Sequence, residues 1–310
     1  MRRLTFAFCA SLLLTILAMA LPSRTCGQEI PAAVTSDPAP DKANPAAMEA
    51  MQLPSHGALV NAIVYIASGA GPHPVVVLLH GYPGNEKNLD LAQAIRRAGW
   101  DVLYFDYRGS WGSPGSFSFT HCIEDTEAAV AYLRDPANAR KLRADSAHIV
   151  LIGHSMGGFM ANFVGAEDPS IEAVGMISAA NLGAADSWPL GDGHAATVDA
   201  VAAALADSGM APLAGCTPEG LAREVIANQT HWNFVDFAPK RAARPILVVT
   251  SDDGLAPTNN AFLGALKKSG AVNVAAIHMP TDHGYSDHRI ALETAVLTWL
   301  ASLPSRQMSR

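Results

Sequence analysis

Charge is scarce in this sequence, and what there is leans acidic. Only 16% of the 310 residues are Asp, Glu, Lys or Arg, and the formal charge is −7. Nucleic-acid binding needs a basic face to replace condensed counterions, and no Lys/Arg-rich run supplies one. The short group Arg140, Lys141 and Arg143 reads as a solvated loop. Cysteine is rarer still, with four in the whole chain, so disulfides do not define the fold. Internal repeats are lacking as well, which argues against a solenoid. In place of all these stands apolar surface: 49% of residues are hydrophobic, enough for one large core. A chain of this length has room for two domains, yet α/β folds of this size often stay single.

The N-terminus has the layout of a secretory signal. Met1, Arg2 and Arg3 form a basic head, residues 4–21 are almost wholly apolar, and Pro22 to Thr25 restore polarity. Small residues mark two cleavage points, after Ala20 or after Gly27. Export to the periplasm or the medium is the expectation, with residues 1–27 removed. The alternative is a retained anchor, since the apolar run lies near the lower length limit for spanning. Cys26 makes a poor lipidation site because Ser23, Arg24 and Thr25 precede it where small apolar residues belong. Cleavage after Gly27 leaves Cys122 and Cys216, which either pair or, as a large core favours, stay as buried thiols.

Residues 28–54 hold Pro31, Pro38, Pro40, Pro45 and Pro54 among Ala, Ser and Asp, and read as a flexible tether. Beyond it, apolar runs and amphipathic stretches take turns. Residues 58–66 suit a strand of an antiparallel pair, and residues 69–72 a hairpin turn. Strands are expected at 74–79, 100–105, 148–153, 173–178, 246–250 and 272–279. Helices are expected at 89–98, 124–133, from 156, 259–268 and 290–300. Continuous apolar strands alternating with helices imply a mainly parallel sheet covered on both faces, in one domain over residues 55–310. Residues 186–239 break the rhythm. They contain no convincing strand but two helical stretches, at 195–206 and 218–227, and fit a helical cap inserted over the strand ends.

The strongest chemical signal is Gly153-His154-Ser155-Met156-Gly157, directly after the apolar strand 149–152 and opening a helical pattern. A strand that turns this sharply into a helix needs glycine on either side of the serine, because side chains there would strike the neighbouring backbone. Such a turn lifts the Ser155 hydroxyl above the sheet and offers the Met156 N–H to a carbonyl oxygen. His80-Gly81-Tyr82-Pro83-Gly84 follows the strand 74–79 and can aim the Tyr82 N–H at the same oxygen, with His80 packed to shape the turn. At these motifs the chain resembles the α/β-hydrolase superfamily. The stretch Phe105-Asp106-Tyr107-Arg108-Gly109-Ser110-Trp111-Gly112-Ser113-Pro114-Gly115 is similar to the loop after the fourth strand in esterases and prolyl-oligopeptidase-like catalytic domains. In that loop Arg108 reads as a structural clamp. The resemblance spans about residues 57–303 and is weakest through the cap; only about fifty residues precede it, too few for a propeller.

The resemblance implies the order serine, acid, histidine. After strand 246–250 come Asp252 and Asp253. The family spacing to a following proline, here Pro257, points to Asp253, with Asp252 left to solvate the turn. After the last strand comes Asp282-His283-Gly284, and His283 is preferred as general base for its loop position; His278 reads as packed in a strand and His288 as a solvated helix start. A metal site built from His283, His288, Asp282 and Asp287 has no recognised ligand spacing. The family implies acyl transfer on Ser155, an oxyanion held by the Tyr82 and Met156 N–H groups, no cofactor and no metal. A small-molecule ester or peptide is the expected substrate; the acidic charge argues against a nucleic-acid partner, and membrane contact is expected only through an uncleaved N-terminus. Two rival readings stay open: a small aminopeptidase gripping its substrate with Asp186, Asp192 or Glu219, and a binding protein on a dead hydrolase scaffold.

Overall fold

The computed structural model describes residues 29–184 and 197–304. The signal-like segment and the first part of the expected cap, with Asp186, Trp188, Leu190 and Asp192, lie outside the described residues.

Among the described residues eight strands form, β1 (Ala47–Ser55), β2 (Ala58–Ile66), β3 (His73–Leu79), β4 (Asp101–Phe105), β5 (Ala144–His154), β6 (Ala173–Ile177), β7 (Ile246–Thr250) and β8 (Val274–His278). They form one sheet in the order β1-β2-β4-β3-β5-β6-β7-β8. The β1/β2 and β2/β4 pairs are antiparallel; every later pair is parallel. Alternation along the strands feeds two apolar layers. Val75, Val77 and Leu79 of β3 face one, with Ile149 and Leu151 of β5. Val76 and Leu78 face the other, with Val150 and Ile152. Helices α2 (Leu89–Arg97) and α10 (Arg289–Ala301) cover the second layer. The first lies under α3 (Phe119–Arg134), α5 (Met156–Glu167) and α9 (Ala256–Lys268). The parallel sheet with helices on both faces is therefore as expected from the sequence.

Three local expectations are corrected. Residues 28–54 are not a bare tether: they contain the short helix α1 (Ala32–Thr35) and the edge strand β1. An edge strand tolerates Pro54, which has no N–H to give a ladder, while Leu53 and Ser55 are buried. Arg140, Lys141 and Arg143 do not form a loop. Helix α4 (Pro136–Leu142) starts on Asp135, whose carboxylate accepts from the Ala137 and Asn138 N–H groups. Arg143 ends it in the left-handed region at φ 59° and donates to the Pro45 and Ala67 carbonyls. The turn at 69–72 joins β2 to β3, but β4 lies between these two strands, so it closes no hairpin.

The described part of the cap holds α6 (Val198–Asp207), α7 (Pro218–Asn228), a 3-10 turn at Phe234–Phe237 and α8 (Ala238–Arg241). Thr197 and Thr217 cap α6 and α7 by accepting from the Ala200 and Gly220 N–H groups. The linker between these helices is sewn to the loop after β4. Trp111 N–H donates to the Pro212 carbonyl, Ala214 N–H to Gly109, and Phe117 N–H to Ala214. Gly109, at φ 66°, is required there, since a Cβ would lie 2.3 Å from the Phe117 nitrogen.

Candidate active site

Ser155 links β5 directly to α5 with φ 57° and ψ −121°, a conformation that L residues seldom adopt. The neighbouring backbone holds it there: its N–H donates to the Ile177 carbonyl, and its own carbonyl accepts from the Gly158 and Ala180 N–H groups. A Cβ on Gly153 would meet the Gly157 oxygen at 1.9 Å, and one on Gly157 the Leu79 oxygen at 2.1 Å. Both glycines are thus demanded by close approach and not by chain flexibility.

Gly81 and Tyr82 lie against this turn. A Cβ on Gly81 would come 2.9 Å from the Ser155 Cβ. Among the described residues, neither the Tyr82 nor the Met156 N–H donates to a backbone carbonyl. Met156 is the first residue of α5, where helical N–H groups have no intrahelical acceptor. His80 is buried beneath the loop, with Nδ1 2.8 Å from the Gly81 oxygen and its ring 4.6 Å from that of Tyr107. Burial, opposed by the Gly81 contact and the Asp106 charge, lowers its pKa to about 4, so it packs as a neutral ring. The Tyr82 phenol donates to the Leu205 carbonyl of α6 at 3.1 Å, tying this loop to the cap.

On the far side of the cleft, the β7 and β8 loops bring Asp253 and His283 together: His283 Nδ1 lies 2.7 Å from Asp253 Oδ2. The Asp253 side chain is 3% exposed and that of His283 44%. Burial alone would raise the Asp253 pKa, but hydrogen bonds from His283, Ser178 and the Leu255 N–H overcome it and hold the carboxyl well below its ordinary range. The other candidates are placed elsewhere. Asp252 is exposed and pairs with His278 Nε2 at 3.2 Å. His278 also meets the Thr250 hydroxyl at 3.0 Å, so it is a half-exposed polar residue and not the packed one expected from its strand. His288 opens α10 with Nδ1 2.8 Å from Asp287. Cys122 and Cys216 are free thiols, only the first of them fully buried.

The resulting cavity measures about 400 Å³. Ser155, Met156, Tyr82, Asp253 and His283 border it, and Phe119, Leu182, Ala204, Leu205 and Leu255 supply apolar walls. Asp253 is the only formally charged residue among the described lining, and it is already engaged by His283. Glu219 lies in the first turn of α7 and does not border the cavity. Arg108 is the clamp its position suggested: its backbone N–H and Nε bind Asp125 at 2.7 and 2.6 Å, and Nη2 binds Glu124.

Three residues near the site were given no role by the sequence. Ser178, at φ 42°, lies 2.8 Å from the Tyr285 hydroxyl and 3.0 Å from that of Ser251, and braces Asp253. Tyr285 is fully buried at φ 57°. His154 precedes Ser155 and reaches across to His283. Only His154 had a cue in the sequence, its place inside the glycine-flanked motif.

Comparison with known proteins agrees with this architecture. A family model for the alpha/beta hydrolase fold matches residues 74–200. An uncharacterised Mycobacterium tuberculosis protein is 33% identical over 95 residues, covering 30% of this chain and 32% of that one. The sn-1-specific diacylglycerol lipase ABHD11 of Xenopus tropicalis is 34% identical over 105 residues, 33% of this chain and 30% of that one. The match therefore spans about a third of the length of these curated relatives. Among solved structures, an esterase of Pyrobaculum calidifontis superposes with a TM-score of 0.60 at 19% identity, covering 85% of each chain. Sheet order, the turn at Ser155 and the structural match converge on the α/β-hydrolase fold, and over residues 74–200 the chain is similar to the family that carries it.

Proposed function

We propose that this protein is a serine hydrolase that cleaves small, uncharged carboxylic esters through an acyl-enzyme on Ser155. One observation carries the reading: the glycine-flanked turn at Ser155 and the His283–Asp253 pair border the same apolar cavity. His283 Nε2 takes the Ser155 proton as Oγ attacks the ester carbonyl, and the oxyanion accepts from the Tyr82 and Met156 N–H groups. The same proton then goes to the leaving alcohol. Water, deprotonated by His283, attacks the acyl-enzyme; the C–Oγ bond breaks as His283 returns that proton to Ser155 Oγ, and the carboxylic acid leaves. Asp253 holds the imidazole in the tautomer with the proton on Nδ1 and steadies its cation.

Ester over peptide is favoured by the walls. An aminopeptidase needs an anionic grip on a substrate ammonium, and the described lining offers no carboxylate beyond the engaged Asp253. Asp186 and Asp192 lie outside the described residues, so the test must be kinetic. A panel of nitrophenyl esters of rising acyl length, run beside aminoacyl nitroanilides, should show turnover of short-chain esters only. A fluorophosphonate probe should label the protein once, and Ser155→Ala should abolish both labelling and turnover. Nitroanilide cleavage at comparable kcat/KM would move the reading to a peptidase; equal labelling of Ser155→Ala would end it. We further propose export, checked by mass spectrometry of the mature N-terminus: a start at Leu21 or Gln28 supports it, and retention of Met1 opposes it.

A further inference from the structure

The His283 side chain is far less enclosed than that of Asp253, at 44% against 3% exposed. It sits in the loop between β8 and α10, so packing alone does not fix its ring. The hydrogen bond to Asp253 restrains Nδ1 but does not reach the His283 carbonyl. His154 supplies what is missing, twice over. Its Nε2 lies 2.8 Å from the His283 carbonyl oxygen; a carbonyl only accepts, so the nitrogen donates. Its ring also lies against the His283 ring, with centroids 4.5 Å apart and planes at 40°.

His154 is itself rigid. It is 3% exposed, ends β5 and pairs in register with Ile177 of β6. One peptide bond separates it from Ser155, whose own backbone is pinned by four hydrogen bonds, from its N–H to Ile177 and to its carbonyl from Gly158, Phe159 and Ala180. A single side chain thus connects the main chain at the nucleophile to the main chain at the base, across 129 residues of sequence. On the far side of the same loop, Arg289 Nη1 donates to the Gly284 carbonyl at 3.0 Å while its other nitrogens hold Asp90 and Asn88.

We propose that His154 is a positioning residue, which grips the carbonyl and one ring face of His283 and so sets the distance and angle of the base to Ser155. This rests on the reading of Ser155 and His283 as nucleophile and base. Its physical reason is twofold. The loop needs a buried donor at that point, and the ring beside a base that turns cationic during reaction must itself be uncharged. Burial, with the neighbouring His283 acting in the same direction, keeps His154 neutral down to a pKa of about 3. A shift of the base by ~1 Å is worth about a hundredfold in rate, so losing the grip should be visible in kcat.

Two variants separate the grip from simple packing. His154→Phe keeps an apolar ring but has no donor; His154→Gln keeps a donor of similar reach. The expected result is a fall in kcat of about 10- to 100-fold in His154→Phe, with KM within about twofold of wild type, and recovery by His154→Gln to within about threefold. Unfolding temperature is followed for both. Wild-type kcat in a folded His154→Phe, or no recovery in a folded His154→Gln, would overturn the proposal. Failure of both variants to fold would assign His154 to stability and overturn it too. Wild-type protein that resists the fluorophosphonate probe at Ser155 would instead strike the underlying reading, so the two failures are distinguishable.

Discussion

Asp252 and Asp253 are adjacent in the chain and opposite in their surroundings. The Asp253 side chain is almost completely enclosed and faces His283 Nδ1, whereas that of Asp252 is 65% exposed and meets His278 at the rim. A carboxylate can orient an imidazole only where water does not compete for both. Asp253→Asn should therefore lower kcat by about four orders of magnitude, through loss of the tautomer that leaves Nε2 free to accept a proton. Asp252→Asn should stay within about threefold of wild type, because an exposed pair contributes little. Steady-state kinetics on one ester decides it; the reverse ranking would transfer the role to Asp252.

Between elements, the connection that matters most runs from the loop after β4 to α3. Asp125 of α3 is wholly buried and accepts from the Arg108 N–H, from Arg108 Nε and from the Ser55 hydroxyl of β1 at 2.5 Å. That cluster fixes the loop to which the linker between α6 and α7 is stitched, so it supports the cap wall of the cavity from a distance. Arg108→Met keeps much of the side-chain volume but leaves Asp125 as a buried charge without its cation. The expected cost is about 3–5 kcal/mol in urea unfolding at neutral pH. Asp125→Asn in the same background should recover part of it, since a neutral amide no longer needs a cation. A wild-type midpoint for Arg108→Met would show that the cluster is not what holds the loop.

For the whole molecule, the buried histidines set the acid limit. Both His80 and His154 are neutral in the fold, with pKa values lowered to about 4 and about 3 by burial. In the unfolded chain each returns to about 6.5 and binds a proton first, so stability rises with pH across this window and is lost as pH falls below it. Each lowered pKa costs roughly 1.4 kcal/mol per unit, or about 2 kcal/mol per histidine between pH 7 and pH 5. Denaturant midpoints should drop steeply over that range, before most carboxylates begin to titrate. A flat profile from pH 7 to pH 5 would mean that these rings are hydrated in solution. Asp253 adds to the loss only at lower pH, because its depressed pKa stabilises the fold above the ordinary carboxylate range and fails as pH falls through the folded value.

The sequence by itself determined the features that rest on local physics. Continuous apolar strands with period-2 faces, alternating with helices, forced a covered parallel sheet. The glycines around Ser155 are legible because no other residue fits a turn where a Cβ would lie about 2 Å from backbone. The loops carrying Asp253 and His283 followed from the order serine, acid, histidine that the resemblance implies, together with their place at strand ends. Tertiary structure alone decided the rest. Strand β1 was hidden because an edge strand exposes every second residue and tolerates Pro54, so it reads like a linker until β2 pairs with it. Which of the neighbouring aspartates faces His283 turns on one residue in a loop, which periodicity cannot resolve and the packed loop does. The contact from His154 to His283 joins residues 129 apart, and no local pattern encodes it. Such contacts come into being only when β5 and the loop after β8 are carried to the same edge of the sheet, because their energy lies in long-range packing and not in the chain around either residue.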